Sequence, residues 1–109
     1  MKAVRFHAYG GPEVLQFEDA PKPVAGPGDL LIRVAAAGVN PVDWKAREGY
    51  LRGYIDYVLP LIPGWDVSGT VEAVGAGVTA YQPGDAVYGR PDIVRNGAYA
   101  EYLLSLIHI

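Results

Sequence analysis

Gly38-Val39-Asn40-Pro41-Val42-Asp43-Trp44 is the first of two turns that decide how this chain is organised; the second is Pro63-Gly64-Trp65-Asp66-Val67-Ser68-Gly69. Each segment follows an apolar run, turns at Gly or Pro, and then presents polar and aromatic side chains. Binding and catalytic residues concentrate on loops that a rigid scaffold holds in place. We therefore predict that the functional site lies at these two turns and that the rest of the chain supports them.

The composition predicts a mainly β fold. The chain has 14 Gly and 9 Pro in 109 residues, which is too many for long helices. One or two helical turns are predicted from Pro41 to Glu48, ended by Gly49. The segment 30–38 is predicted as a central strand covered on both faces, with Arg33 at an edge or pointing to solvent. The other predicted strands are 1–7, 14–18, 67–74, 86–89 and 97–103.

Composition also limits the classes of function. Half of the residues are apolar and the net charge is −3, which predicts one folded domain and argues against nucleic-acid binding. The chain contains no Cys, so disulfides and thiolate metal sites are excluded. No signal peptide and no membrane-spanning run are evident, and we expect a cytoplasmic protein without membrane partners.

Gly75-Ala76-Gly77-Val78-Thr79-Ala80 follows a predicted strand and matches the spacing of a dinucleotide-binding loop. That loop requires a helix whose N-terminus faces the pyrophosphate. Pro83-Gly84 stops any such helix within a turn, so a plain β-turn is the favoured interpretation.

Five residues at or near the two turns are candidates for a binding site: Asn40, Trp44, Tyr50, Trp65 and Asp66. An Asn side chain offers both a donor and an acceptor to a neutral ligand. The three aromatic rings are suited to wall a flat aromatic or quinoid molecule. A purely structural alternative remains open, in which Asn40 caps the helix and Asp66 accepts from loop amides.

The chain resembles the N-terminal, GroES-like domain of the medium-chain dehydrogenase/reductase superfamily, and most closely its zinc-free quinone-oxidoreductase branch. The matching stretches are MKAVRFHAYGGPEVLQFEDAPKP, GDLLIRVAAAGVNPVDWKAREG, PLIPGWDVSGTVEAVGAGVTAYQPGDAVYG and GAYAEY. The resemblance implies a partly open β-barrel with one or two short helices, forming a catalytic domain over residues 1–104. It also implies a tail at 105–109 that does not match the family, and a Rossmann domain that this chain lacks.

In the zinc-bearing relatives a Cys follows the first turn and a His-Glu pair follows the second. The corresponding positions here are Asn40, Trp65 and Asp66. Neither Asn nor Trp replaces a thiolate or an imidazole at zinc. We therefore expect no metal.

The resemblance implies NADPH-dependent reduction of quinones or activated C=C bonds, with a small-molecule quinone or enone as substrate. It implies catalytic roles for Asn40 and Tyr50, and cofactor contacts from Asn40 and Trp44. Substrate contacts are expected from Tyr50, Trp65 and Asp66. We expect the chain to be inactive alone; the alternative is a stand-alone β-barrel module that binds a ligand or a protein.

The apolar residues Leu103, Leu104, Leu106, Ile107 and Ile109 follow the last family stretch. An open strand edge with such residues predicts self-association, and a homodimer is one form it can take.

Overall fold

Two antiparallel sheets and one α-helix make up the fold in this computed structural model, which describes residues 1–106. The first sheet pairs β1 with β2, and the second has the strand order β5-β4-β3-β6. The elements are β1 (Lys2–Phe6), a 3-10 helix (Pro12–Val14), β2 (Leu15–Asp19), β3 (Asp29–Ala37), α1 (Pro41–Glu48), β4 (Val67–Val74), β5 (Ala86–Gly89) and β6 (Tyr102–Leu106).

The two sheets do not close into a complete barrel, and β1 of the smaller sheet makes two isolated bridges to residues outside the named strands. Ala3 bridges to Ala100, and Phe6 bridges to Leu61. The partly open, mainly β architecture predicted from the sequence is therefore confirmed. The single α-helix of residues 1–106 is too short to cross a membrane.

β3 is one of the two inner strands of the larger sheet, but only its first half is covered on both faces. Leu30, Leu31 and Ile32 are buried, whereas Arg33 and residues 35–37 are exposed. The prediction of a strand covered throughout is thus wrong for the second half. The reason is that the Ala-rich end runs out of the core toward the first turn, and Arg33 points to solvent.

β3 and β4 approach closely at Gly69. A Cβ atom at this position would lie 2.1 Å from the backbone oxygen of Arg33. The pairing register shifts nearby, between Val34 and Ala36. Gly69 therefore allows the close backbone approach that a Gly inside a strand indicates.

The strand predicted over 97–103 begins later, at Tyr102. The N–H groups of Gly97, Ala98 and Tyr99 donate to the carbonyls of residues 62–64, at 2.6 to 3.1 Å. Since these donors are already used, the segment cannot pair with β3.

Residues 75–80 form a turn without a helix, as the Pro83-Gly84 argument indicates. A Cβ at Gly75 would lie 1.7 Å from the carbonyl oxygen of Gly26. Gly75 therefore allows the turn to pack directly against the backbone of Gly26.

Residues 103–109 are described only in part. Leu103 is buried in the core of the larger sheet, so it does not contribute to the exposed apolar surface that was predicted. Ser105 and Leu106 belong to β6. Residues 107–109 of the predicted tail lie outside the described residues.

A core cluster of Phe6, Ala46, Leu61 and Trp65 holds the site. It packs α1 and the second turn against the β1–β2 hairpin. Because one cluster contains both Ala46 of α1 and Trp65 of the second turn, the two turns are fixed relative to each other.

Candidate functional site

The first turn ends where α1 begins, and its hydrogen bonds fix Asn40. Asn40 is the N-cap residue and Pro41 occupies the first helical position, where its missing N–H costs nothing. The Asp43 carboxylate accepts from the Asn40 backbone N–H at 3.0 Å, and the Asp43 N–H donates to the Asn40 carbonyl at 3.0 Å. Gly49 ends the helix in a left-handed conformation, with φ of 90°.

Asp43 is a buried carboxylate at the foot of the site, only 6% exposed. Its Oδ2 atom accepts from the Tyr99 hydroxyl at 2.6 Å, while its Oδ1 atom has no hydrogen-bond partner among residues 1–106. Burial, reinforced by this hydrogen bond, raises the pKa of Tyr99 well above its usual value. Tyr99 therefore remains a neutral donor to Asp43 at physiological pH.

The two turns meet through their polar side chains. The Asn40 side-chain nitrogen donates a short hydrogen bond to the Asp66 carboxylate. The Gly38 N–H also donates to the Asp66 carbonyl, at 2.9 Å. The orientation of the Asn40 amide is thus set by Asp66, from the other turn.

Asn40 lies between two cavities. The first, here called the Trp65 cleft, has a volume of about 310 Å³ and is lined by Asn40, Val42, Trp65, Asp66 and Arg90. The second, here called the Trp44 cavity, has a volume of about 290 Å³, and the residues that line it include Val39, Asn40, Asp43, Trp44, Pro63 and Tyr99. A planar ring has room in either cavity, with the Asn40 amide at its edge.

Trp65 is mainly a core side chain with one side toward the cleft. It is 3% exposed, its ring stacks on Tyr57 at 6.3 Å between centroids, and its indole N–H donates to the Arg95 carbonyl at 3.0 Å. Because its N–H is already used, the buried indole offers a ligand a rigid wall and no free donor. Burial also raises the pKa of the neighbouring Tyr57 hydroxyl to about 12.

Trp44 and Tyr50 lie on the other side of Asn40. Their rings meet edge to face at 5.7 Å, and the two residues are 40% and 64% exposed. Trp44 lines the Trp44 cavity, and Tyr50 reaches it only through this ring contact. The three aromatic residues thus do not form one wall. Trp44 and Tyr50 lie on one side of Asn40, and Trp65 lies on the other.

The residues at the positions of the zinc ligands do not fit a zinc ion. The Trp65 nitrogen carries a proton and has no lone pair for a metal, and an Asn amide is a poor zinc ligand. Asp66 is already the acceptor for Asn40. Within residues 1–106 no three His, Cys, Asp or Glu side chains are arranged to hold a metal ion.

An ion pair fixes the loop that follows β5. Arg95 donates to the two carboxylate oxygens of Asp29 at 2.9 and 3.4 Å, and Asp29 also accepts from the Gly26 N–H at 3.1 Å. The Arg95 hydrogen bond is the main cause that lowers the pKa of Asp29. This pair joins the loop after β5 to the start of β3.

Sequence reasoning missed Asp43, Tyr99 and Arg90 as parts of the site. The spacing of Asn40 and Asp43 is that of a capping box, with Asp in place of Glu or Gln, and this was the available signal for Asp43. The partnership of Asp43 with Tyr99 spans 56 residues and has no sequence signal. Arg90 directly follows the predicted strand 86–89, and this pattern did not place it beside Asn40.

Comparison with known proteins places the chain in a family. Residues 26–106 match the family model described as the alcohol dehydrogenase GroES-like domain. Human quinone oxidoreductase is 44% identical over 110 residues, which is 99% of this chain and 32% of the human protein.

Solved structures give the same result. Quinone oxidoreductase from Coxiella burnetii superposes with a TM-score of 0.86 at 35% identity, over 98% of this chain and 35% of that one. A mycobacterial protein in complex with NADPH has a TM-score of 0.82 at 42% identity, over 98% of this chain and 32% of that one. The chain thus spans about a third of the length of these relatives. It belongs to the alcohol dehydrogenase GroES-like domain family, in the quinone-oxidoreductase-like branch of the medium-chain dehydrogenase/reductase superfamily.

Proposed function

We propose that this chain is the substrate-side domain of a zinc-independent, NADPH-dependent oxidoreductase that reduces quinones or activated C=C bonds. The observation that carries the proposal is the placement of Asn40, whose amide is oriented by Asp66 and borders two ring-sized cavities. The names of the relatives and the NADPH complex of the mycobacterial protein support the choice of substrate and cofactor.

In this proposal Asn40 and Trp44 orient the nicotinamide ring, and NADPH supplies the hydride when it is bound. Asn40 suits the task because its backbone and its side chain are both held, by Asp43 and Asp66. A side chain fixed in this way loses little entropy when it positions a ligand.

Trp65 and Asp66 contact the substrate in the Trp65 cleft, and Tyr50 contributes from the Trp44 side. Since the donor set does not fit zinc, the substrate itself must be electron-poor. Hydrogen-bond donors then stabilise the negative charge that develops on the substrate oxygen. We assign this role to the Asn40 amide, while the catalytic role of Tyr50 stays a prediction, because Tyr50 lines neither cavity.

The isolated chain is proposed to be inactive, because most of the contacts to a dinucleotide lie in a Rossmann domain. We expect no saturable NADPH binding by the chain alone in the micromolar range, as measured by fluorescence titration. A cytoplasmic location and a homodimer both stay predictions.

A chimera tests the proposal. Residues 1–106 replace the matching third of the Coxiella burnetii quinone oxidoreductase, and NADPH oxidation is followed with 1,4-benzoquinone as acceptor. Asn40→Leu should lower kcat by at least about tenfold, since each tenfold loss corresponds to about 1.4 kcal/mol of lost orientation or charge stabilisation. Gln16→Leu removes an exposed amide on β2 and should leave kcat unchanged.

Two outcomes contradict the proposal. One is a chimera whose activity disappears with a chelator and returns with Zn²⁺. The other is an active chimera in which Asn40→Leu behaves like Gln16→Leu.

A further inference from the structure

We propose that Arg90 makes the Trp65 cleft selective for acceptors that carry a carboxylate or sulfonate beside a planar, electron-poor ring. This inference rests on the proposed function and narrows its substrate class. The ring lies against Val42 and Trp65, and the anionic group meets the Arg90 guanidinium.

Arg90 lies at the Trp65 cleft and has no partner in the described part of the chain. It is exposed, lines the Trp65 cleft, and forms no hydrogen bond, ion pair or ring contact with residues 1–106. Four other arginines do have partners in the fold: Arg5, Arg47, Arg52 and Arg95. Arg33 also has no partner among residues 1–106, but it lies on the exposed half of β3 and lines neither cavity.

The backbone of Arg90 is held beside the second turn. It directly follows β5, whose last residue, Gly89, pairs with Val67 at the start of β4. The next residue, Pro91, is buried. This register brings Arg90 next to Asp66 in space, so its position at the cleft is fixed by the sheet.

The charge of Arg90 is not neutralised by the acidic residue of the cleft. Asp66 forms no ion pair with Arg90 and instead accepts from the Asn40 amide. A guanidinium binds carboxylate or sulfonate oxygens through two parallel N–H donors. The cleft therefore offers an apolar wall for a ring, an amide for a carbonyl oxygen, and a free cation for an anionic substituent.

Binding of two matched probes to the unmodified chain tests this assignment. The probes are 1,4-naphthoquinone-2-sulfonate and 2-methyl-1,4-naphthoquinone, which share a ring system and differ in charge. The chain has no Cys, so no thiol adds to either quinone. Dissociation constants come from NMR titration of the Asn40 side-chain amide and the Trp65 indole N–H, which report binding at this cleft.

We expect the sulfonate to bind about three- to fivefold more tightly than the neutral probe, the upper part of the range for an exposed charge-assisted contact. Arg90→Gln should remove this preference and change the affinity for the neutral probe by less than about twofold. Arg90→Lys should keep part of the preference, because it keeps the charge and loses the paired donors. Arg33→Gln is the matched control and should behave as the parent chain.

The outcomes separate this inference from the proposed function. Equal binding of both probes, or a preference that survives Arg90→Gln, overturns the role of Arg90 and leaves the quinone site standing. A preference lost equally in Arg33→Gln shows general charge attraction and also overturns it. If neither probe moves the Asn40 and Trp65 signals, the cleft is not a quinone site and both proposals fail.

Discussion

Replacing Tyr99 by Phe removes one oxygen atom and tests how the buried carboxylate of Asp43 is stabilised. The hydroxyl donates to Asp43 Oδ2 at 2.6 Å, and Asp43 is 6% exposed. Since Oδ1 has no hydrogen-bond partner within residues 1–106, the variant leaves the carboxylate with the backbone N–H of Asn40 as its remaining donor.

The expected cost follows from the type of bond. A hydrogen bond to a charged group contributes about 1.5–3 kcal/mol, more than a neutral pair. Phe keeps the ring that packs beside Gly64, so the loss of packing is small. We expect Tyr99→Phe to lower the free energy of unfolding by about 2 kcal/mol, which corresponds to about 10 °C in Tm for a domain of this size.

The pH dependence supplies a second readout. Because folding raises the pKa of Tyr99, its contribution is fully present below the unfolded pKa of about 10 and is lost as pH rises through the folded value. The parent chain should therefore lose stability in alkali more steeply than Tyr99→Phe does.

Thermal and urea unfolding measured by circular dichroism provide the assay. Tyr54→Phe is the matched control, since Tyr54 is 89% exposed and has no side-chain hydrogen bond within residues 1–106. If Tyr99→Phe melts within about 2 °C of Tyr54→Phe, a shift worth less than about 0.5 kcal/mol, the reasoning about the Asp43 carboxylate is refuted.

Two further substitutions test the scaffold. Gly69→Ala would place a Cβ atom 2.1 Å from the Arg33 backbone oxygen, and it should lower the free energy of unfolding in urea by more than about 3 kcal/mol. Gly53→Ala is the control: it has open space around it and should change this free energy by less than about 1 kcal/mol. Equal midpoints for these two variants would contradict the close approach of β3 and β4. Arg95→Gln should cost about 2 kcal/mol at pH 7. Because folding lowers the pKa of Asp29, the difference in unfolding free energy between the parent chain and this variant should shrink as pH falls below about 4. If that difference persists in acid, the Arg95–Asp29 pair is not its source.

Local chemistry predicted most of the elements. Pro41 and Gly49 mark the two ends of α1, because Pro is tolerated in the first turn and Gly adopts the left-handed conformation that stops a helix. Gly69 likewise announces a close backbone approach. Each of these features depends on one residue and its immediate neighbours, so the sequence alone reveals it.

Long-range hydrogen bonding explains what the sequence did not predict. Residues 97–101 have strand-forming composition, but the N–H groups of residues 97–99 donate to carbonyls about 35 positions earlier in the chain. In the same way, the two turns were identified from their residue types, while the bond between Tyr99 and Asp43 joins segments 56 residues apart. No local pattern specifies such a partner.

The loop that carries Arg90 is anchored by atoms that do not depend on its exposed side chains. The Ile93 carbonyl accepts from Tyr57 at 2.9 Å, and the Arg95 carbonyl accepts from Trp65 at 3.0 Å. The side chains of Arg90 and Val94 are exposed, and Arg90 lines the Trp65 cleft. Substitutions at these two positions therefore change the surface of the loop and leave its backbone hydrogen bonds intact. The ligand selectivity of the cleft can thus diverge among related proteins without loss of the fold.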